Sequence, residues 1–167
     1  MVRRGILVAL STAVMVALLA AAQPAAADQG SPDVEFPQGQ ACNFKLDVYI
    51  DGAGPDTKTF FDRNGSPVRT ISAGRGPGLT FVNADSGSEY TTAPNGSVAR
   101  AVFNADGSQT NYLTGHFVVI LFPTDIPAGP STTLYIGRVV YTVDNQGIFT
   151  LRESSGRSID ICEALSS

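Results

Sequence analysis

The chain has 167 residues and a mass of 17.5 kDa, close to one domain by length. Hydrophobic residues make up 43%, charged residues 16%, and the net charge is -4. That composition is too apolar and too weakly charged for a disordered chain, and it carries neither a collagen period nor a heptad. No motif in it demands a particular activity, so the pattern speaks to compartment, architecture and candidate surfaces.

Arg3 and Arg4 precede an uncharged apolar run from Gly5 to Ala22, which ends in Gln23, Pro24 and the small residues Ala25, Ala26 and Ala27. This is the plan of a secretory signal peptide, and it predicts residues 1–27 as a signal cleaved before Asp28. An uncleaved anchor is the alternative, because the run is just long enough to span hydrocarbon. Without Arg3 and Arg4 the 11 basic residues fall to nine against 15 acidic ones. The processed chain is therefore expected to be an acidic, secreted, extracellular protein. Its positive residues are scattered from Lys45 to Arg157 with no visible basic patch, so neither nucleic acid nor an anionic membrane is an expected partner.

Residues 28–41 contain Gly30, Pro32, Pro37 and Gly39 with little periodicity and read as a flexible leader. The domain is expected over residues 42–167. Phe44, Leu46, Val48 and Ile50 alternate with Lys45, Asp47 and Tyr49, the period of a strand with one apolar face. Similar runs recur at 57–61, 67–73, 79–83, 89–92, 98–103, 109–122, 132–143, 148–152 and 158–162. No segment shows sustained helical spacing apart from a half-turn at Glu163, Ala164 and Leu165. Three turns share one layout of an apolar strand end, an Asx residue and then Gly: Phe61 to Gly65, Phe103 to Gly107 and Val143 to Gly147. Each predicts a tight antiparallel hairpin.

Cys42 and Cys162 flank this region, and in an oxidising compartment they are expected to form one disulfide. A bond between them requires the ends of the fold to meet. The fold class predicted is all-β, an antiparallel β-barrel of about 8–10 short strands, since a barrel removes free strand edges. A two-sheet β-sandwich is the alternative. A lipocalin is disfavoured because the chain has no tryptophan.

The candidate chemistry is sparse. His116, the only histidine, shares a strand face with Val118, Ile120 and Phe122. It reads as a hydrogen-bonded structural residue, as a ligand contact, or as the base of a cryptic enzyme. No catalytic residue is assigned, because no nucleophile signature accompanies it. Arg138 lies on a face with Ile136 and Val140, and Arg100 on one with Val98 and Val102, so a cationic head could lie among apolar neighbours. No metal site or cofactor is expected: one His and two bridged Cys do not make a zinc site. Asp62, Asn64, Asn104 and Asp106 read as turn residues, since neither cluster continues to the bidentate Glu of a calcium loop. Asn64 and Asn95 also begin glycosylation sequons, although Asn-Gly is first a turn dipeptide. Gly74-Arg75-Gly76-Pro77-Gly78 lacks the spacing and following helix of a phosphate loop.

Four stretches carry a resemblance: Phe61 to Val68, Thr114 to His116 running into Leu121 to Asp125, Gly137 to Asp144, and Asp160 to Leu165. They resemble a group of small secreted proteins of actinobacteria, over about residues 42–165. The resemblance implies secretion and a β fold, and it brings no assigned activity. Size and turn style are also similar to allene oxide cyclase-like barrels, whose glycine-rich signature is missing here.

Two classes of function follow as expectations. The first is a non-enzymatic, extracellular small-ligand-binding module that takes an apolar or weakly anionic molecule near His116, Arg138 and Tyr112. The second is a protein-interaction or inhibitor module that uses the proline-rich loop Pro123 to Pro130. An enzyme based on His116 comes third.

Overall fold

The structure is a computed structural model and describes residues 30–166. The predicted signal over residues 1–27 lies outside the described residues. The strands are β1 (Val34–Phe36), β2 (Leu46–Asp51), β3 (Asp56–Phe61), β4 (Pro67–Arg75), β5 (Gly78–Asn83), β6 (Glu89–Thr92), β7 (Gly96–Phe103), β8 (Gln109–Leu121), β9 (Ser131–Val143) and β10 (Phe149–Asp160). A single helical turn, α1 (Ile161–Ala164), follows them. It is capped by Asp160, whose carboxylate accepts from Glu163 N at 3.0 Å.

The fold is all-β and antiparallel, in two sheets. One has the strand order β1-β2-β5-β6, the other β10-β9-β8-β7-β4-β3. No closed barrel is found among the described residues, which corrects the expected barrel and fits the two-sheet alternative. The Cys42–Cys162 disulfide forms as predicted, with Cα atoms 5.6 Å apart, but Cys42 leads into one sheet and Cys162 follows the edge strand of the other. The bond therefore staples two sheets together instead of closing one.

Alternation places Leu46 and Val48 of β2, Leu79 and Phe81 of β5 and Tyr90 of β6 on the inner side of the smaller sheet. They pack on Val118 and Ile120 of β8, Leu134 and Ile136 of β9 and Ile159 of β10. Ile161 and Leu165 of the C-terminal turn are fully buried against the same core. Burial of each such side chain is worth about 1.5–3 kcal/mol. Asn83, also buried, donates from Nδ2 to the Leu165 carbonyl at 3.1 Å. A second tie runs from the Thr132 hydroxyl to the Ala41 carbonyl at 3.0 Å.

Part of the leader expected over residues 28–41 is strand: within its described residues, β1 joins the smaller sheet. Val34, Glu35 and Phe36 pair with Val48, Asp47 and Leu46, and the Asp33 carboxylate accepts from Ile50 N at 2.7 Å. The Pro and Gly residues that masked this strand lie on either side of it. The strands predicted at 148–152 and 158–162 are one strand, β10, because Glu153, Ser154 and Ser155 keep pairing with β9. Their polarity reflects an exposed sheet edge, where charged and polar residues discourage pairing with another chain. The three Asx-Gly hairpins form as predicted. Asp62 Oδ1 accepts from Asn64 N and Ser66 N at 2.8 and 2.9 Å, and Asp144 Oδ1 accepts from Gln146 N and Ile148 N, both at 2.9 Å.

The three longest strands are bent at one place. Gly115, Gly137 and Gly156 are successive register partners across β8, β9 and β10, each with positive φ. A Cβ at Gly115 would lie 2.5 Å from the Gly96 carbonyl oxygen. On one side of this glycine row β8, β9 and β10 face the smaller sheet. On the other side they continue with β7, β4 and β3 as a single six-stranded layer, since β7 pairs with β8 only from Gln109 to Gly115. Leu113 and Val139 from one side of the row pack with Val119 and Leu121 from the other in a second cluster.

Candidate functional site

A cavity of about 260 Å³ lies where the smaller sheet meets the glycine bend. Leu79, Val118 and Leu134 form its apolar floor, and Thr92, Asn95, Ser97 and His116 supply its polar atoms. Two segments that cross between the sheets make the rim: Gly76 and Pro77 connect β4 to β5, and Ala93 to Asn95 connect β6 to β7. They are tied to each other. Gly76 N donates to the Asn95 carbonyl at 3.0 Å, and Arg75 Nε donates to the Pro94 carbonyl at 3.1 Å.

His116 projects into this cavity beside Gly115, on the strand face it was expected to share with Val118 and Ile120. It is half-buried, and no hydrogen bond engages its imidazole among the described residues. The orienting carboxylate and nucleophile used by a histidine catalyst are not bonded to it either.

The other two predicted ligand contacts are elsewhere. Tyr112 lies in the six-stranded layer opposite Arg100, whose guanidinium carbon is 5.4 Å from the ring centroid. Arg138 lies just past the glycine row and pairs with Glu153 at 3.2 Å, with both side chains more than half exposed. The expected trio of His116, Arg138 and Tyr112 therefore does not converge. Identical strand parity puts them on one face, but the bend at Gly115 and Gly137 separates His116 from the other two.

One buried carboxylate ties the start of the proline-rich loop to β10. Asp125 accepts from Phe122 N at 2.7 Å and from Phe149 N at 3.1 Å. Ile126 then bridges to β10, donating to the Phe149 carbonyl at 2.9 Å and accepting from Leu151 N at 2.7 Å. The Ile126 side chain is left 56% exposed and Phe122 37% exposed.

The residues that line the rim were legible only as punctuation. Gly74 to Gly78 and Ala93 to Asn95 read as turn segments, and nothing local says that strands on either side of a turn belong to different sheets. The basic residues offer the converse lesson. They are scattered along the chain, yet pairing register puts Lys58, Arg69, Arg100 and Arg138 on one face of the six-stranded layer, and the bond of Arg152 to Thr142 turns it to the same side. No family model, curated protein or solved structure matches this chain.

Proposed function

We propose that the protein is an exported, non-enzymatic binding module whose cavity takes a small apolar or weakly anionic molecule. The observation that carries this reading is the cavity of about 260 Å³ with an apolar floor and one unengaged imidazole, that of His116. Its volume is near the lower end of small-molecule sites, and a largely apolar wall with few polar groups is their usual character. A half-buried imidazole with free ring nitrogens can donate to or accept from a ligand head group. The disulfide and the signal-like N-terminus support an extracellular setting.

The test uses anilinonaphthalene sulfonate, an apolar dye with one anionic group. One equivalent is expected to bind with enhanced fluorescence. Ala93→Trp, which fills the exposed rim, is expected to abolish binding, and His116→Ala to weaken it. Dye binding unchanged in both variants would overturn the proposal. Native mass spectrometry of the protein from its own medium would show the resident molecule.

A second reading has one observation in its favour. Ile126 and Phe122 present exposed apolar side chains on a loop pinned by Asp125, the kind of surface a protein partner can cover. Ile126→Asp would then abolish capture of that partner and leave the dye site intact.

A further inference from the structure

Beyond the cavity, the six-stranded layer carries a surface of different chemistry. Lys58, Ile71, Arg100, Tyr112, Val140 and Glu153 are successive register partners from β3 to β10. Register partners in an antiparallel sheet project to the same side, so this row defines a face. Arg69 belongs to it, paired with Phe60 and Val102, as does Arg138, paired with Thr114. Arg152, at the bulge between Leu151 and Glu153, donates from Nε to Thr142 Oγ1 at 3.1 Å and so turns to the same side. Five of the nine Lys and Arg residues beyond residue 27 lie here against two carboxylates, Asp56 and Glu153.

Four of these five cations have no counter-ion. Ion pairs among the described residues engage Lys45 and Arg138 only. Arg69 instead stacks over Phe60 with its guanidinium carbon 4.3 Å from the ring centroid, and Lys58 Nζ is 5.3 Å from the same centroid. Arg100 covers Tyr112 in the same way. Stacking uses the flat face of a guanidinium and leaves its N–H edge free for an anion. Arg69 and Lys58 share the Phe60 ring with no carboxylate in ion-pair contact with either, so an arriving anion would relieve the repulsion between the two cations.

We propose that this face binds an acidic polysaccharide lying across the strands. With neighbouring strands about 4.8 Å apart, cations on β3, β4, β7, β9 and β10 form a track that suits a polymer with a repeating charge. Thr110, Thr114, Thr142 and Ser155 share the face by register, and their hydroxyls can bond to sugar hydroxyls between the charges. Single-stranded nucleic acid is the poorer fit. It needs open ring faces on which bases stack, and here guanidinium groups cover both Phe60 and Tyr112.

The test is titration of the protein with polygalacturonate at low salt, with dextran as the neutral polymer and oligodeoxythymidylate as the nucleic acid. Binding of polygalacturonate is expected to weaken as salt is added, dextran is expected not to bind, and the double variant R69Q/R100Q is expected to lose about tenfold in affinity. Ala93→Trp is expected to leave this binding unchanged, which separates the face from the cavity. K58Q/R138Q provides a second variant, with an intact far-ultraviolet spectrum required of each. No binding of polygalacturonate, undiminished binding by both folded double variants, or tighter binding of the oligonucleotide would overturn the proposal.

Discussion

Gly115 and Gly137 are register partners across β8 and β9, and both have φ in a region that side chains avoid, 110° and 153°. Neither glycine could gain a Cβ without meeting backbone, the Gly96 carbonyl in one case and the Ser155 carbonyl in the other. The pair, continued by Gly156, is what lets three long strands serve the core on one side of the bend and the open layer on the other. Gly115→Ala is therefore expected to destabilise the fold by about 2–4 kcal/mol, combining backbone strain with a steric clash. Gly96→Ala, with no atom within 4 Å of its Cβ, is expected to change stability by no more than about 0.5–1 kcal/mol. Urea midpoints of the two variants check the contrast.

The disulfide closes a sequence separation of 120 residues, and the chain-entropy treatment assigns such a loop about 4–5 kcal/mol. Cys42→Ala with Cys162→Ala is expected to lower stability by about that amount at most, because a denatured chain with residual structure has less entropy to regain. Equilibrium denaturation with and without reductant measures it. A loss below about 1 kcal/mol would show that the hydrogen bonds of Thr132 and Asn83 already hold the ends together.

Asp125 is 6% exposed and accepts two backbone N–H groups. Replacement by Ala leaves Phe122 N and Phe149 N without that acceptor and is expected to cost about 2–3 kcal/mol. Asp125→Asn is expected to cost less, since one amide oxygen can still accept. Amide hydrogen exchange at Phe122, Ile126 and Phe149 is the direct readout, with faster exchange at all three in the Ala variant.

Alkaline pH provides a test of burial. Desolvation raises the phenolic pKa of Tyr135 and Tyr141 above the ordinary 10.0, so the folded chain holds these protons after the unfolded chain has released them. Lys45 is likewise raised above 10.5, first by its hydrogen bond to Glu35 and then by that to Asp47. All three shifts have the same sign: their contribution is complete below pH 10 and is lost as pH rises through the folded values. Ultraviolet titration is expected to show two tyrosines that ionise late, and Glu35→Gln is expected to shift the Lys45 titration downward with little change in stability at neutral pH.

Local chemistry was sufficient for most strands and for the three Asx-Gly turns, but not for β1, whose three residues sit between prolines and read as a leader. Period-two alternation in Leu46 to Ile50, the Asx-Gly layout at Asp62 and Asp144, and two cysteines in an export context each rest on interactions within a few residues or on compartment, and each is legible in one dimension. The polar stretch Glu153 to Arg157 misled, because an edge strand needs no apolar face. Sheet membership lay beyond local reading, since the segments at Gly76 and Asn95 look like turns whether they join neighbours in one sheet or cross to another. The candidate sites depended on that missing step. Parity alone joined His116, Arg138 and Tyr112 on one face, but the Gly115–Gly137 bend put His116 in a cavity and the other two on an open surface. Pairing register likewise gathered cations that are up to 94 residues apart, from Lys58 to Arg152, because side-chain direction in a sheet is set by the partner strand and not by distance along the chain.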